Sequence, residues 1–398
     1  MKAGLLKDRL NRATCLFSFS DYLSYTSPFM TSLQSALSAL GEALCILGCT
    51  QRSPHLRLLT FASIVCLAVC LFLNPTGSAY RDYTIGCSAA IRVFMMSDFL
   101  LLNDPLKFRK LNEPAPPPSS EASLSVRLKR SFDLVYAPRG VGWTHRIRGM
   151  ANSAPNKSTA TLPFLAKRMK IFVVQFILYE LADLVIQANQ HFPPLLSDKW
   201  WLRALVVIAH LTELRTRLLM TYELIIIGRV VTGLSEPDES EWPPLFGSVL
   251  EVYTVRRFWG QFWHQVLRRM LTTHSDFLAQ CLGLRKRLIA RYFKLHMAFF
   301  ISAIVHYCGD FTIRQDWKGG SMHYFLLQAA AITVEDALIY AGRRLGCERW
   351  MSKRWARLLG YAWVMAWFAA THPIWLGPQI EVGFVTSRPP NVFRALQK

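Results

Sequence analysis

The sequence is short of charge. Charged residues make up 18% of its 398 positions, where a soluble domain carries about a quarter. It has no CxxC pair. Its nine cysteines (Cys15, Cys45, Cys49, Cys66, Cys70, Cys87, Cys281, Cys308 and Cys347) sit mostly inside apolar runs. That argues against a zinc site or a disulfide framework, and they read as small hydrophobes. The ten histidines are scattered, with no HxxxH or HxxHH box, so a membrane di-iron hydroxylase is excluded and no metal is expected. No internal repeat is evident. No cleavable signal peptide is expected either, since Asp8 and Asp21 flank only a short, Ser-rich apolar stretch.

What the sequence has is apolar length. It is 52% hydrophobic and 13% aromatic, with mean hydropathy +0.21. Runs nearly free of charge are long enough to cross a hydrocarbon core of roughly 30 Å. Eight spans are expected: about 31–49, 58–74, 84–102, 169–188, 203–232, 289–313, 321–341 and 357–376. Across lipid, backbone groups must be satisfied internally, and runs of this length exclude a barrel. The expected fold is therefore an all-α polytopic membrane protein of about eight transmembrane helices with interfacial helices between them.

The net charge of +20 points to nucleic acid in a soluble protein. Here the bases lie between apolar runs, in 103–168, 234–288 and 343–356. With eight spans those segments share one side, and the positive-inside rule makes it the cytosol. Anionic lipid headgroups, not nucleic acid, are the expected partner. The organisation expected is N-terminal transmembrane helices over 1–102, a basic cytosolic loop over 103–168 with a linker signal at 114–120, and a membrane core over 169–398, all one membrane domain. The sequon at Asn156 falls in the cytosolic loop, so no glycan is expected there.

Ionisable groups at membrane depth are costly and usually functional. Glu180 and Asp183, then His210, Glu213, Arg215, Arg217 and Glu223, then Glu335 and Asp336 fall in the fourth, fifth and seventh spans. Pairing along or between helices accounts for them; proton or substrate coupling in a transporter is the rival reading. In the sixth span, Arg291, Lys294 and His296 mark a helix leaving the cytosol. His306 then lies about nine residues beyond Met297, roughly 14 Å deeper, near the midplane. A lone histidine there is often a packing residue. Asp310, one turn on, shares its face and is expected to hold the imidazole in one tautomer, as a carboxylate does in hydrolase triads.

The stretch EVYTVRRFWGQFWHQVLRR (251–269) pairs aromatics at i, i+4 between arginines, as an interfacial element does. That leaves His264 and Gln265 unexplained. FWGQFWHQ (258–265), followed 42 residues beyond His264 by a buried histidine, resembles the membrane-bound O-acyltransferase superfamily, and more closely its wax-synthase-like branch. PRGVGWTHRIRG (138–149) and the lead-in EWPPLFGSVLEVYTVRRFW (241–259) agree with that branch, and the resemblance covers about 130–376. Where the superfamily usually shows Ser-Gly ahead of its histidine, this chain has Ser302-Ala303.

The resemblance implies an enzyme of the endoplasmic reticulum, of the fungal secondary-metabolite type. It would move an acyl group, acetyl in this reading, from acyl-CoA to a hydroxyl of an apolar acceptor such as a terpenoid. Wax-ester synthesis on long-chain alcohols is the alternative. His306 carries over as the catalytic residue and His264 as the end of the aromatic motif. An imidazole suits the base, and His264 suits oxyanion stabilisation, with Gln265 and Trp263 in support. Arg256, Arg257, Arg268 and Arg269 are candidates for the CoA phosphates, with a positive-inside flank as the plain alternative. No cofactor is expected to stay bound.

Overall fold

The computed structural model describes residues 28–111, 123–147, 160–188, 199–346 and 352–388. The first 27 residues, the proline-rich stretch 114–120, the Asn156 sequon, Cys15 and Cys347 lie outside the described residues. Among the described residues the chain is helical, with a single antiparallel bridge between Lys110 and Trp143.

The long helices are α1 (Pro28–Thr50), α2 (Pro54–Leu73), α3 (Ala79–Met96), α4 (Leu124–Val135), α5 (Thr161–Ala188), α6 (Trp200–Val231), α7 (Arg268–Cys281), α8 (Arg287–Arg314), α9 (Ser321–Arg344) and α10 (Lys353–Glu381). Six are long and apolar enough to cross a membrane: α1, α2, α3 with its π-helical extension Ser97–Leu102, α5, α8 and α9. The remaining two expected spans are also long helices, α6 and α10. They fall short in apolarity, not in length. The first carries buried His210, Glu213 and Glu223, and the second carries His372 and two internal prolines, Pro373 and Pro378. The chain is thus an all-α, multi-pass membrane protein. Its outward Leu58, Leu59, Val69 and Leu73 are exposed on α2, as a lipid-facing helix requires.

The helices run further than the apolar runs did, because polar residues at their ends find protein partners. α5 begins eight residues ahead of the expected span, at Thr161. Its Arg168 is held by Glu223 of α6 at 3.5 Å and by Glu239 at 2.6 Å. The other end of the α5–α6 pair is pinned by Arg388, in the turn after α10, which donates to Asp183 (3.1 Å) and Glu213 (3.5 Å). Arg217 donates to Tyr80 at 2.7 Å. Arg168, Asp183, Glu213, Glu223 and Arg388 are almost wholly buried. An unpaired charge at that depth costs several kcal/mol, so the ion pairs account for Asp183, Glu213 and Glu223.

Between membrane helices apolar burial supplies little drive, so close backbone approach takes its place. α3 and α8 cross at Gly86 and Gly309. A Cβ on Gly309 would lie 2.7 Å from Cys87 Sγ and 2.8 Å from the Tyr83 ring; one on Gly86 would lie 2.7 Å from the Cys308 carbonyl oxygen. That crossing brings Tyr83 of α3 against His306 of α8.

Candidate active site

The aromatic motif starts as a one-turn helix, Val255–Arg257, and continues as a π-helical turn, Phe258–Phe262, a form that recurs at functional sites. Two acids of α9 fix it. Glu335 accepts from the backbone N–H groups of Val255 (2.8 Å) and Arg256 (3.1 Å) and from Trp363 Nε1 (3.1 Å). Asp336 takes both ends of the Arg256 guanidinium, at 2.8 and 2.6 Å. The acids of the seventh span therefore serve the motif. On the other side Gly247 donates its N–H to the Phe262 carbonyl at 3.0 Å. Only glycine fits there, since a Cβ would sit 2.3 Å from the Gln261 oxygen. The lead-in is tied to PRGVGW by Arg139, whose guanidinium donates to the carbonyls of Pro243 and Pro244 and to Tyr222 Oη.

After Phe262 the chain turns extended at Trp263, and His264 follows. Trp263 is buried and stacks on Phe258 (5.3 Å, 19°). Gln265 is spent on the turn: its amide donates to the carbonyls of Trp263 (2.6 Å) and Trp259 (3.3 Å), and its oxygen accepts from Arg268. It positions His264 and has no free donor aimed at substrate. His264 itself makes no hydrogen bond, and its Nδ1 is buried among Trp263 and Phe246. Loss of hydration lowers its imidazole to about 4, so it is neutral at physiological pH.

His306 lies on α8 within electrostatic reach of His264. Phe325 covers one ring face (4.4 Å, 8°) and Trp375 meets its edge at 5.4 Å. The aromatic series continues from Phe325 to Trp259, Trp263 and His264, with ring centres 5.8, 6.1 and 5.6 Å apart. Nδ1 of His306 is 3.0 Å from the Tyr83 hydroxyl and 3.8 Å from Cys87 Sγ. Its Nε2 has no partner, and the residue is half-buried in mid-helix. The aromatic series links the two imidazoles, and neither Nε2 has a hydrogen-bond partner.

One expectation is corrected. Asp310 does not touch the imidazole. Its oxygens accept from Ser321 N (2.8 Å) and Gln379 Nε2 (3.1 Å), because the N-terminus of α9 is the stronger local attraction for a carboxylate. The residue at Nδ1 is Tyr83, from a helix far away in sequence, whose oxygen also accepts from Trp375 Nε1 at 3.0 Å. No spacing rule reveals that contact. The four arginines are all engaged within the protein: Arg256 with Asp336, Arg257 with Glu251 and Gln261, Arg268 with Gln265, and Arg269 with the buried Asp98. Among the described residues, no group of three His, Cys, Asp or Glu side chains could hold a metal ion.

Residues 242–327, which contain both histidines, match the profile of the Membrane bound O-acyl transferase family. The chain is 33% identical over 360 residues to an acetyltransferase of Rhodocybe pseudopiperita, covering 88% of this chain and 92% of that protein. It is 31% identical over 367 residues to an acetyltransferase of Hericium erinaceus, covering 90% and 94%. An O-mevalon transferase of Penicillium terrestre is 28% identical over 386 residues, covering 89% and 86%. No solved structure matches.

Proposed function

This chain belongs to the membrane bound O-acyl transferase family, and from that premise we propose that it moves an acetyl group from acetyl-CoA to a hydroxyl of an apolar secondary metabolite, such as a terpenoid, with His306 as the base. The observation that carries this reading is the pair of imidazoles, each with a free Nε2, set in an aromatic wall. His306 Nε2 takes the acceptor's proton as its oxygen attacks the thioester carbonyl. The neutral His264 donates an N–H to the oxyanion. As the tetrahedral intermediate collapses, the C–S bond breaks and His306 returns the proton to the departing CoA thiolate.

A positioned base of this kind contributes about 10²–10⁴ in rate. Arg268, the one exposed residue of the four arginines, is the best placed for CoA phosphates arriving from the cytosol. Arg256 holds Asp336 and Arg269 holds the buried Asp98, and both serve the scaffold. The membrane is that of the endoplasmic reticulum in this reading, and the acceptor arrives from the bilayer.

The test is acyl transfer by isolated membranes, given radiolabelled acetyl-CoA and a panel of apolar alcohols, for wild type and His306→Ala. Labelled ester from the wild type alone supports the reading. Ester from both moves the base elsewhere. Ester only with a long-chain acyl-CoA replaces acetyl transfer by wax-type chemistry.

A further inference from the structure

The helix bundle buries a second histidine pair that the proposed chemistry does not use. His210 of α6 and His372 of α10 are 1% and 0% exposed. His210 Nδ1 lies 2.8 Å from His372 Nε2, and His372 Nδ1 lies 3.3 Å from the hydroxyl of Tyr324 on α9. A neutral imidazole has one donor and one acceptor nitrogen, and His372 spends both. Hydrogen bonds are directional, so the three side chains tie α6, α9 and α10 together at this level.

What they enclose is Trp375. Tyr324 stacks on its indole (5.1 Å, 17°), and the rings of His372 and His210 meet it at 5.2 Å (85°) and 5.6 Å (69°). The backbone beside it is fixed as well. Pro378 has no N–H, so the Ile374 carbonyl lacks its helical donor. Gly320, at the head of α9, packs against that carbonyl so closely that a Cβ there would overlap the oxygen. The same indole reaches the reaction centre. Its N–H donates to Tyr83 Oη at 3.0 Å, and its ring meets that of His306 at 5.4 Å. Tyr83 Oη in turn lies 3.0 Å from His306 Nδ1. One side chain therefore touches both the ring of the base and the group at its Nδ1.

We propose that Trp375 is a positioning residue for His306, with His210, His372 and Tyr324 as its mount: they set the plane of the indole, the indole N–H holds the Tyr83 oxygen, and Tyr83 holds Nδ1 of His306. An indole can only donate. The Tyr83 oxygen is therefore pinned whichever way the proton between Tyr83 and His306 lies. No proton moves along this chain; it orients the base. Phenylalanine at 375 would keep the stacking on Tyr324 but lose the N–H, leaving the Tyr83 ring free to turn. The inference rests on the reading of His306 as the base, and the experiment separates the two.

Transfer from radiolabelled acetyl-CoA to an alcohol that the wild type esterifies would be measured in isolated membranes. The variants are Trp375→Phe, Tyr83→Phe, the two combined, His372→Gln and His306→Ala, each normalised to folded protein. Trp375→Phe and Tyr83→Phe are each expected to lower kcat about 10–100-fold, as a displacement of about 1 Å at a reacting group does, with KM for acetyl-CoA within about twofold of wild type. The double variant is expected to be no worse than the poorer single, because both changes remove one contact. Independent packing defects would instead multiply. His372→Gln, which touches neither His306 nor Tyr83, is expected to lower kcat several-fold at unchanged KM. If Trp375→Phe keeps wild-type kcat while His306→Ala is inactive, the positioning role is wrong and the base stands. If the losses in Trp375→Phe and Tyr83→Phe multiply, it is equally wrong. Activity in His306→Ala removes the base and the positioning role with it. Where Trp375→Phe fails to accumulate, His372→Gln decides: lowered kcat at unchanged KM supports the role, and wild-type kcat overturns it.

Discussion

Gly309→Ala tests whether the α3–α8 crossing sets the geometry of the reaction centre. The added Cβ would meet Cys87 Sγ at 2.7 Å and the Tyr83 ring at 2.8 Å. Contacts between non-bonded atoms settle at about 3.5–4.0 Å, so one helix must withdraw by roughly 1 Å or Tyr83 must turn away. Either movement stretches the 3.0 Å contact between Tyr83 and His306 beyond hydrogen-bonding distance. Overpacking of this kind costs about 1–3 kcal/mol of stability, and a displacement of about 1 Å at a reacting group costs on the order of 10²-fold in rate. The expected result is a protein that inserts, melts at lower temperature in detergent, and loses about 10–100-fold in acetyl transfer per folded molecule. Melting and turnover both at wild-type values would refute the claim that this crossing positions His306.

Two further outcomes are expected. Arg388→Ala leaves Asp183 and Glu213 facing each other without their shared cation; breaking a buried pair costs about 3–5 kcal/mol, so the variant should melt well below wild type in detergent, and Arg388→Lys should restore only part of the loss because an ammonium cannot reproduce the two-armed contact. For pH, His264 is lowered from 6.5 to about 4 and His145 to about 3, both by loss of hydration. The unfolded chain protonates first, so this stabilisation is complete above about pH 6.5 and fades as pH falls toward 4. His264 alone accounts for about 2 kcal/mol lost by pH 5. Melting temperature should fall between pH 7.5 and 5, and fall less in His264→Asn; equal slopes would remove His264 as the cause.

Much of this was legible in the sequence, for physical reasons that differ from element to element. Runs such as 58–74 announce themselves because lipid demands uninterrupted apolar length. His306 stood out as an ionisable group at membrane depth and His264 as a polar group that an interfacial aromatic element leaves unexplained, but their roles came from the family resemblance. α6 was harder to delimit, because its charges obey pairing rules, and Arg168 and Arg388, which neutralise them, lie far away in sequence. Tyr83 could not be found at all. A tyrosine near the end of an apolar run looks like an interface anchor, and only the crossing at Gly86 and Gly309 turns it toward the imidazole.

The fate of the buried acids bears on why this chain works as an enzyme and not as a carrier. A coupling carboxylate in a transporter must exchange protons or ions with a path that opens to either side. Here Asp183 and Glu213 are locked to Arg388, and Glu223 to Arg168. Glu335 and Asp336 grip the start of the aromatic motif, and Asp310 caps a helix. Each is engaged by a group that the fold holds in place. The groups left uncommitted are the Nε2 atoms of the two imidazoles, which suit a proton's short transfer between an acceptor hydroxyl and a departing thiolate. Fixing the acids spends them on rigidity, and rigidity is what a general base with an oxyanion donor requires, since its rate depends on reacting atoms being held close to their transition-state positions.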